Sequence, residues 1–188
     1  MWIVKLYMLE IKIEIPLCNQ YDNAHDESWA YRMCAICSLW MLLKYQNPQF
    51  NVSMMDLLQQ ALVKDSYLEN IGWRHWGIVK VAEENGLALR YADRFFYTSE
   101  EKEVGAKIIS TNLKNNHPVM ASVFHHLNPA KGGHMVIIHG FQEFKGQTIG
   151  YYIQDPDASF RGHNYFLTKE EFFAGWRGGL IYQNESSI

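Results

Sequence analysis

The stretch Arg32-Met33-Cys34-Ala35-Ile36-Cys37-Ser38-Leu39-Trp40-Met41-Leu42-Leu43-Lys44-Tyr45 runs from a polar loop into an apolar-rich segment. Leu39, Leu42 and Leu43 recur at helical spacing, which predicts a helix from Cys34 to about Tyr45. Its first residue is a cysteine. There a thiol faces unpaired backbone N–H groups and the positive end of the helix dipole, and both stabilise the reactive thiolate. Cys37, one turn further in, reads as a small buried hydrophobe. Cys18 lies in a strand-to-loop region with no such field. A helix-start cysteine can also be only a buried residue, and position alone leaves both readings open.

Outward from this helix the chain divides into two halves. A second helix is predicted from Ser53, whose hydroxyl can cap it, with Asp56 completing a capping box. A third covers roughly Trp76 to Glu84 and stops at Gly86. A fourth runs from Ser99 to Asn115 and ends before Pro118. The second half is strand-rich: Val119 to Phe124, Met135 to Phe141 and Gly150 to Gln154 carry Val, Ile, Phe and Tyr between turn-forming clusters. A short helix capped by Thr168, with Glu171 at its third position, precedes a last strand near Leu180 to Tyr182. At the N-terminus, Leu9, Ile11, Ile13 and Ile15 alternate with Glu10, Lys12 and Glu14, the pattern of a half-buried strand. Helices first and antiparallel strands after predict an α+β fold over residues 1–188 as one domain. The helices are expected on one side of the sheet and the active site at the seam.

Composition narrows the functional classes. The 188 residues are 48% hydrophobic and 20% charged, as in an ordinary globular chain, and 14% aromatic, which suits a packed domain with a groove. A formal net charge of -3 offers no basic field for phosphate backbones, so nucleic acid is not an expected partner. No run approaches the roughly 18 apolar residues of a transmembrane helix. Lys5, Glu10, Lys12 and Glu14 interrupt any signal-peptide core, and no small-residue cleavage site follows. With three cysteines and no disulfide framework, a reducing, cytoplasmic setting is expected.

Eight histidines are available as a base for Cys34. His134 follows Gly132-Gly133 and opens a strand, where the glycines let another backbone approach closely. It can equally be a strand-edge histidine bonded to a carbonyl. His139, five residues on, points to the opposite face of a regular strand. His125 and His126 are adjacent and diverge if they lie in a strand, so no metal site is expected from them, nor a cofactor elsewhere. Cys34-Ala35-Ile36-Cys37 has redox-motif spacing but lacks the preceding strand of a thioredoxin-like βαβ unit. Asp155 ends a strand before Pro156 and can accept the second imidazole N–H, although Asp155-Pro156-Asp157 also reads as a turn. Gln20 offers a neutral amide donor suited to an oxyanion hole beside the Cys34 N–H.

The order Gln20, Cys34, His134, Asp155 is that of papain-like enzymes, and the surrounding motifs sharpen it. Ile15-Pro16-Leu17-Cys18-Asn19-Gln20, the Cys34 helix, Gly72-Trp73-Arg74-His75-Trp76-Gly77, Pro118 to Val123, Gly133-His134-Met135-Val136 and Tyr152-Ile153-Gln154-Asp155-Pro156 together resemble the peptidase C39-like family, within the papain-like superfamily. The resemblance spans about Ile15 to Gly178. It implies a papain-like fold with Cys34 as nucleophile, His134 as base, Asp155 as orienting group and Gln20 as oxyanion donor. It also implies a peptide or protein substrate and no cofactor. One departure is visible: Ala35-Ile36 stands where relatives usually carry Gly-Pro. Two other readings remain beside hydrolysis: acyl transfer to an added amine on the same residues, and a peptide-binding module without turnover.

Overall fold

The computed structural model describes residues 8–22, 27–92 and 96–183. Its elements in chain order are β1 (Met8–Lys12), α1 (Glu27–Ala30), α2 (Cys34–Gln46), α3 (Met54–Val63), β2 (Tyr67–Leu68), β3 (Gly72–Trp73), α4 (His75–Glu84), β4 (Leu89–Tyr91), α5 (Ser99–Lys114), β5 (Val119–Phe124), β6 (Gly133–Phe144), β7 (Gln147–Gln154), β8 (Asn164–Thr168), α6 (Lys169–Gly175) and β9 (Trp176–Gln183).

The helix starts follow their caps. Ser53 accepts from the Asp56 N–H, and its hydroxyl donates to the Asp56 carboxylate instead of forming a reciprocal box. Thr98–Glu101 and Thr168–Glu171 are full capping boxes, each satisfying two otherwise unpaired N–H groups. Helix α4 stops where Gly86 takes a φ of +82°, a left-handed conformation that costs glycine nothing.

One antiparallel sheet runs in the order β4-β9-β5-β6-β7-β8. Strand β6 is long enough to hold two neighbours end to end on one edge: β5 pairs with its first half and β1 with its second. The sheet is covered on both faces, which corrects the expectation that the helices lie on one side. Met120, Met135, Ile137 and Ile181 face α2, α3 and α4. The alternate residues Ala121, Val123, Val136 and Ile138 face Ile109 and Leu113 of α5 and Phe172 of α6. The period-2 alternation of side chains makes this possible: strands apolar on both faces need cover on both. The alternation read at the N-terminus holds from Ile11 on, with Ile11 and Ile15 half-buried, Ile13 buried and Lys12 and Glu14 exposed; only Leu9, near the start of β1, departs by being exposed. The residues before Met8 lie outside the described residues.

Candidate active site

Cys34 is the first residue of α2 and is 8% exposed. No side chain caps this helix, and no acidic residue sits in its first turn, so no side chain competes with the thiol for the positive end of the helix dipole. One turn on, the buried Ser38 hydroxyl donates to the Met135 carbonyl at 3.3 Å. That bond fastens α2 to β6 one residue from His134.

His134 sits second on β6, 6% exposed, and lines the same cleft as Cys34, whose side chain acts on its charge. Its Nε2 lies 2.6 Å from Asp155 Oδ1, leaving Nδ1 for the sulfur. Sheet register explains the pairing. Ile137 lies opposite Gln154 on adjacent β6 and β7, and continuing that antiparallel ladder sets Asp155 across from Val136. Residues two apart on β6 share a face, so His134 and Asp155 meet at the sheet end. Burial alone would lower the imidazole pKa, but the hydrogen bonds and charges of Asp155 and Cys34 outweigh it and push it up to about 10. The imidazolium is the favoured form at neutral pH.

Asp155 is in turn held from three directions. Its Oδ1 accepts from the Asp157 N–H at 2.8 Å as well as from His134, and its Oδ2 accepts from the Tyr165 hydroxyl at 2.8 Å. Burial and the Asp155 charge raise the Tyr165 phenol far above its ordinary value, so it remains a donor. The Asp155 N–H donates to the His163 carbonyl at 2.8 Å. Asp155 is therefore both in a turn and bonded to the imidazole, and the two readings of it are compatible.

Gln20 is buried, and its backbone N–H donates to the Pro156 carbonyl at 3.0 Å, which ties its loop to the Asp155 corner. Its side-chain Oε1 has no hydrogen-bond partner among the described residues. The site thus brings Cys34, His134 and Asp155 into one chain of contacts, with Gln20 on the adjoining loop.

Two histidine expectations come out differently. His139 lies away from the site as strand parity requires, with Nδ1 2.7 Å from the Ile13 carbonyl, but it sits where the β6–β7 register shifts. His125 and His126 are not in a strand. They occupy a tight 3-10 turn in which His126 and Leu127 take φ of 54° and 56°, and their rings converge to 4.0 Å instead of diverging. Parity therefore gives no ground against chelation here: with Asp157 they form a group whose ligand atoms lie within 4.8 Å. The bonds already in place oppose a cation. Asp157 Oδ2 takes the Tyr21 hydroxyl at 3.0 Å and His125 Nε2 at 2.8 Å, His126 Nε2 lies 2.9 Å from Ser159 Oγ, and the Lys131 ammonium lies 2.9 Å from His126 Nδ1.

Asp157 is also more than a turn residue. It is 1% exposed, and although burial opposes its charge, Ser159, His125 and Tyr21 hold its carboxyl far below the usual range. The His125 ring packs 5.0 Å from the His134 ring. Two His–Asp pairs therefore lie side by side. The sequence gives no local sign of the second pair, nor of Tyr165, because register and a left-handed turn bring these groups together.

Cys34 and His134 open onto a cleft of about 720 Å3. Among the described residues its lining carries Arg32, Arg74, Lys131 and Arg177 and no Asp or Glu. Arg32 is paired with Glu69 at 3.0 Å, whereas Arg74, Lys131 and Arg177 have no carboxylate partner among the described residues. A Cβ on Gly133 would fall 1.8 Å from Arg177 Nη1, so a larger residue there would push the Arg177 head group aside. His75, in the same cleft, is held neutral, its pKa lowered to about 4 by burial and by Arg177.

A model of the Peptidase_C39 like family matches residues 12–179. No curated protein matches the chain. Among solved structures, the fold is similar to a double glycine motif protease from an AMS/PCAT transporter in complex with its leader peptide. That match has TM-score 0.58 and 17% identity, covering 91% of this chain and 92% of the other. It is also similar to the peptidase domain of Streptococcus ComA, a bi-functional ABC transporter, with TM-score 0.56 and 19% identity, covering 82% and 93%. At these identities the likenesses establish the fold. Among the described residues no helix is long and apolar enough to cross a membrane.

Proposed function

The chain belongs to the peptidase C39-like family and is a papain-like cysteine peptidase, and from that premise we propose that it cleaves peptide bonds through Cys34, His134 and Asp155, with Gln20 as oxyanion donor. The observation that carries this reading is His134, bonded to Asp155 at 2.6 Å and held as imidazolium, in a cleft it shares with the helix-start Cys34. Cys34 attacks the carbonyl carbon as thiolate, in the field of the α2 N-terminus. The oxyanion is received by the Cys34 N–H and by the Gln20 amide. His134 gives its proton to the leaving amine, and Asp155 keeps the ring in place through the transfer. Water, deprotonated by His134, then releases the acyl group and regenerates the thiolate beside the imidazolium. No step requires a cofactor.

The peptide lies in the cleft beside Arg177, and the cationic lining favours substrates carrying carboxylates near the scissile bond. Transfer of the acyl group to an added amine in place of water would use the same residues. The test is incubation with a peptide library and mass spectrometry of the products, with and without a competing amine. Cleavage lost in Cys34→Ala supports the proposal. A turnover unaffected by Cys34→Ala defeats it, as does peptide binding without cleavage by the intact chain.

A further inference from the structure

The proposed peptidase mechanism leaves two cysteines unused, and they face each other. Cys18 Sγ lies 2.7 Å from Cys37 Sγ, nineteen positions apart in sequence, with Met54 Sδ 3.0 Å from the first sulfur and 3.4 Å from the second. Both residues are buried, at 4% and 0% exposure. A disulfide needs sulfurs at about 2.04 Å, so closing this gap takes an approach of about 0.7 Å. The spacing of Cys34 and Cys37 singled out a different pair in sequence, but Cys37 points away from the helix start toward the Cys18 loop.

A route in from solvent exists. A second pocket, of about 510 Å3, is lined by Leu17, Cys18, Asn19, Asp22, Lys44 and Met54 among others, and Cys37 does not reach it. The two thiols therefore have unequal roles. Cys18 meets an incoming reagent, and Cys37 lies behind it. Burial, and the hydrogen bond from Cys18, push the Cys37 thiol well above its ordinary value, which suits it to the second step and not the first.

We propose that Cys18 and Cys37 are a thiol–disulfide exchange site that takes a small-molecule disulfide of the glutathione class through the pocket at Cys18 and closes into an intramolecular bond. In the first step the Cys18 thiolate attacks one sulfur of the reagent, forming a mixed disulfide and expelling one thiolate. In the second, Cys37, losing its proton to that thiolate or to solvent, attacks the Cys18 sulfur and expels the other. Two cysteine thiols and one disulfide become one protein disulfide and two small thiols, so the reagent is reduced by the two electrons the protein loses. The bond would join the loop that carries Gln20 to the helix that carries Cys34, two segments otherwise linked through separate neighbours. The inference stands whether or not Cys34 turns over peptides, because it involves neither Cys34 nor His134.

The test uses the full chain as Cys34→Ala, which leaves only these two thiols. In parallel it uses the wild-type chain with Cys34 already alkylated by iodoacetamide, in case the variant fails to fold. Each is equilibrated with oxidised glutathione, quenched with N-ethylmaleimide and digested with trypsin without reductant. The expected product is peptide Ile13–Arg32 joined to Met33–Lys44 with loss of two hydrogens and no retained glutathione, reversed by dithiothreitol. By the loop-closure relation Tm should rise by about 6–12 °C on oxidation. A glutathione adduct that persists on Cys18 while Cys37 stays free overturns the proposal. So does recovery of both thiols unmodified at equilibrium, or a joined product whose Tm is not raised.

Discussion

Replacing Asp155 separates an orienting carboxylate from an ordinary turn residue, because the two roles predict different pH behaviour. Moving the His134 pKa from 6.5 to about 10 corresponds to roughly 5 kcal/mol of preference for the charged ring, shared between Asp155 and Cys34. Asp155→Ala removes the Asp155 share and leaves the Tyr165 hydroxyl, the Asp157 N–H and His134 Nε2 buried without their acceptor. The expected loss is about 3–5 kcal/mol near pH 6, the range for breaking a buried pair. The folded-state pKa is raised, so the charge-dependent stability is fully present below about 6.5 and is lost as pH rises through about 10. The gap between wild type and Asp155→Ala should therefore narrow from pH 6 to pH 10. Asp155→Asn keeps an oxygen for His134 and Asp157, and its amide can donate to the Tyr165 oxygen. It should cost about 1–2 kcal/mol, the difference between a charge-assisted and a neutral hydrogen bond. Because an imidazolium carries a proton on both nitrogens, the amide faces no tautomer problem, and Asn should retain most of the activity. Urea unfolding at several pH values gives the stabilities, and iodoacetamide alkylation of Cys34 at pH 6 gives the reactive thiolate. Alkylation should slow by about 10-fold or more in Asp155→Ala. A pH-independent stability gap, together with unchanged alkylation in the folded variant, would refute the coupling.

Substoichiometric iodoacetamide at pH 6–7 should label Cys34 well before the buried Cys18 and Cys37, read by peptide mapping; equal labelling of all three contradicts the thiolate assignment. Gln20→Ala should lower kcat by about 10²–10³ with little change in KM, and an effect confined to KM argues against an oxyanion role. Asp157→Ala, which orphans the Tyr21 hydroxyl and His125, should destabilise the fold by about 2–4 kcal/mol in denaturant titration, and a silent change there means the second His–Asp pair is not structural. Arg177→Ala should reduce kcat/KM for peptides with Asp or Glu near the cleaved bond more than for neutral ones, the difference shrinking in high salt. Equal loss for both peptide classes removes the charge argument.

The sequence by itself determined the local pieces of this protein. Cys34 at a helix start, the Ser53, Thr98 and Thr168 caps, the Gly86 stop and the main strands all follow from interactions within a few residues, where periodicity and capping chemistry act. The motifs around Gln20, Cys34, His134 and Asp155 also sufficed to mark the family. What tertiary structure decided is whatever depends on two distant segments meeting. The second helical layer over the sheet follows from strands apolar on both faces, which a list of elements does not reveal. The 2.6 Å contact of His134 with Asp155 depends on the β6–β7 register, and a slip of one residue would turn either side chain to the other face. The convergence of His125 and His126 depends on a left-handed turn that strand parity could not foresee. Cys18 and Cys37 belong to one sulfur cluster only because the Gln20 loop folds back onto α2. Local free energies are written in neighbouring residues, whereas these contacts are selected by the packing of the whole chain.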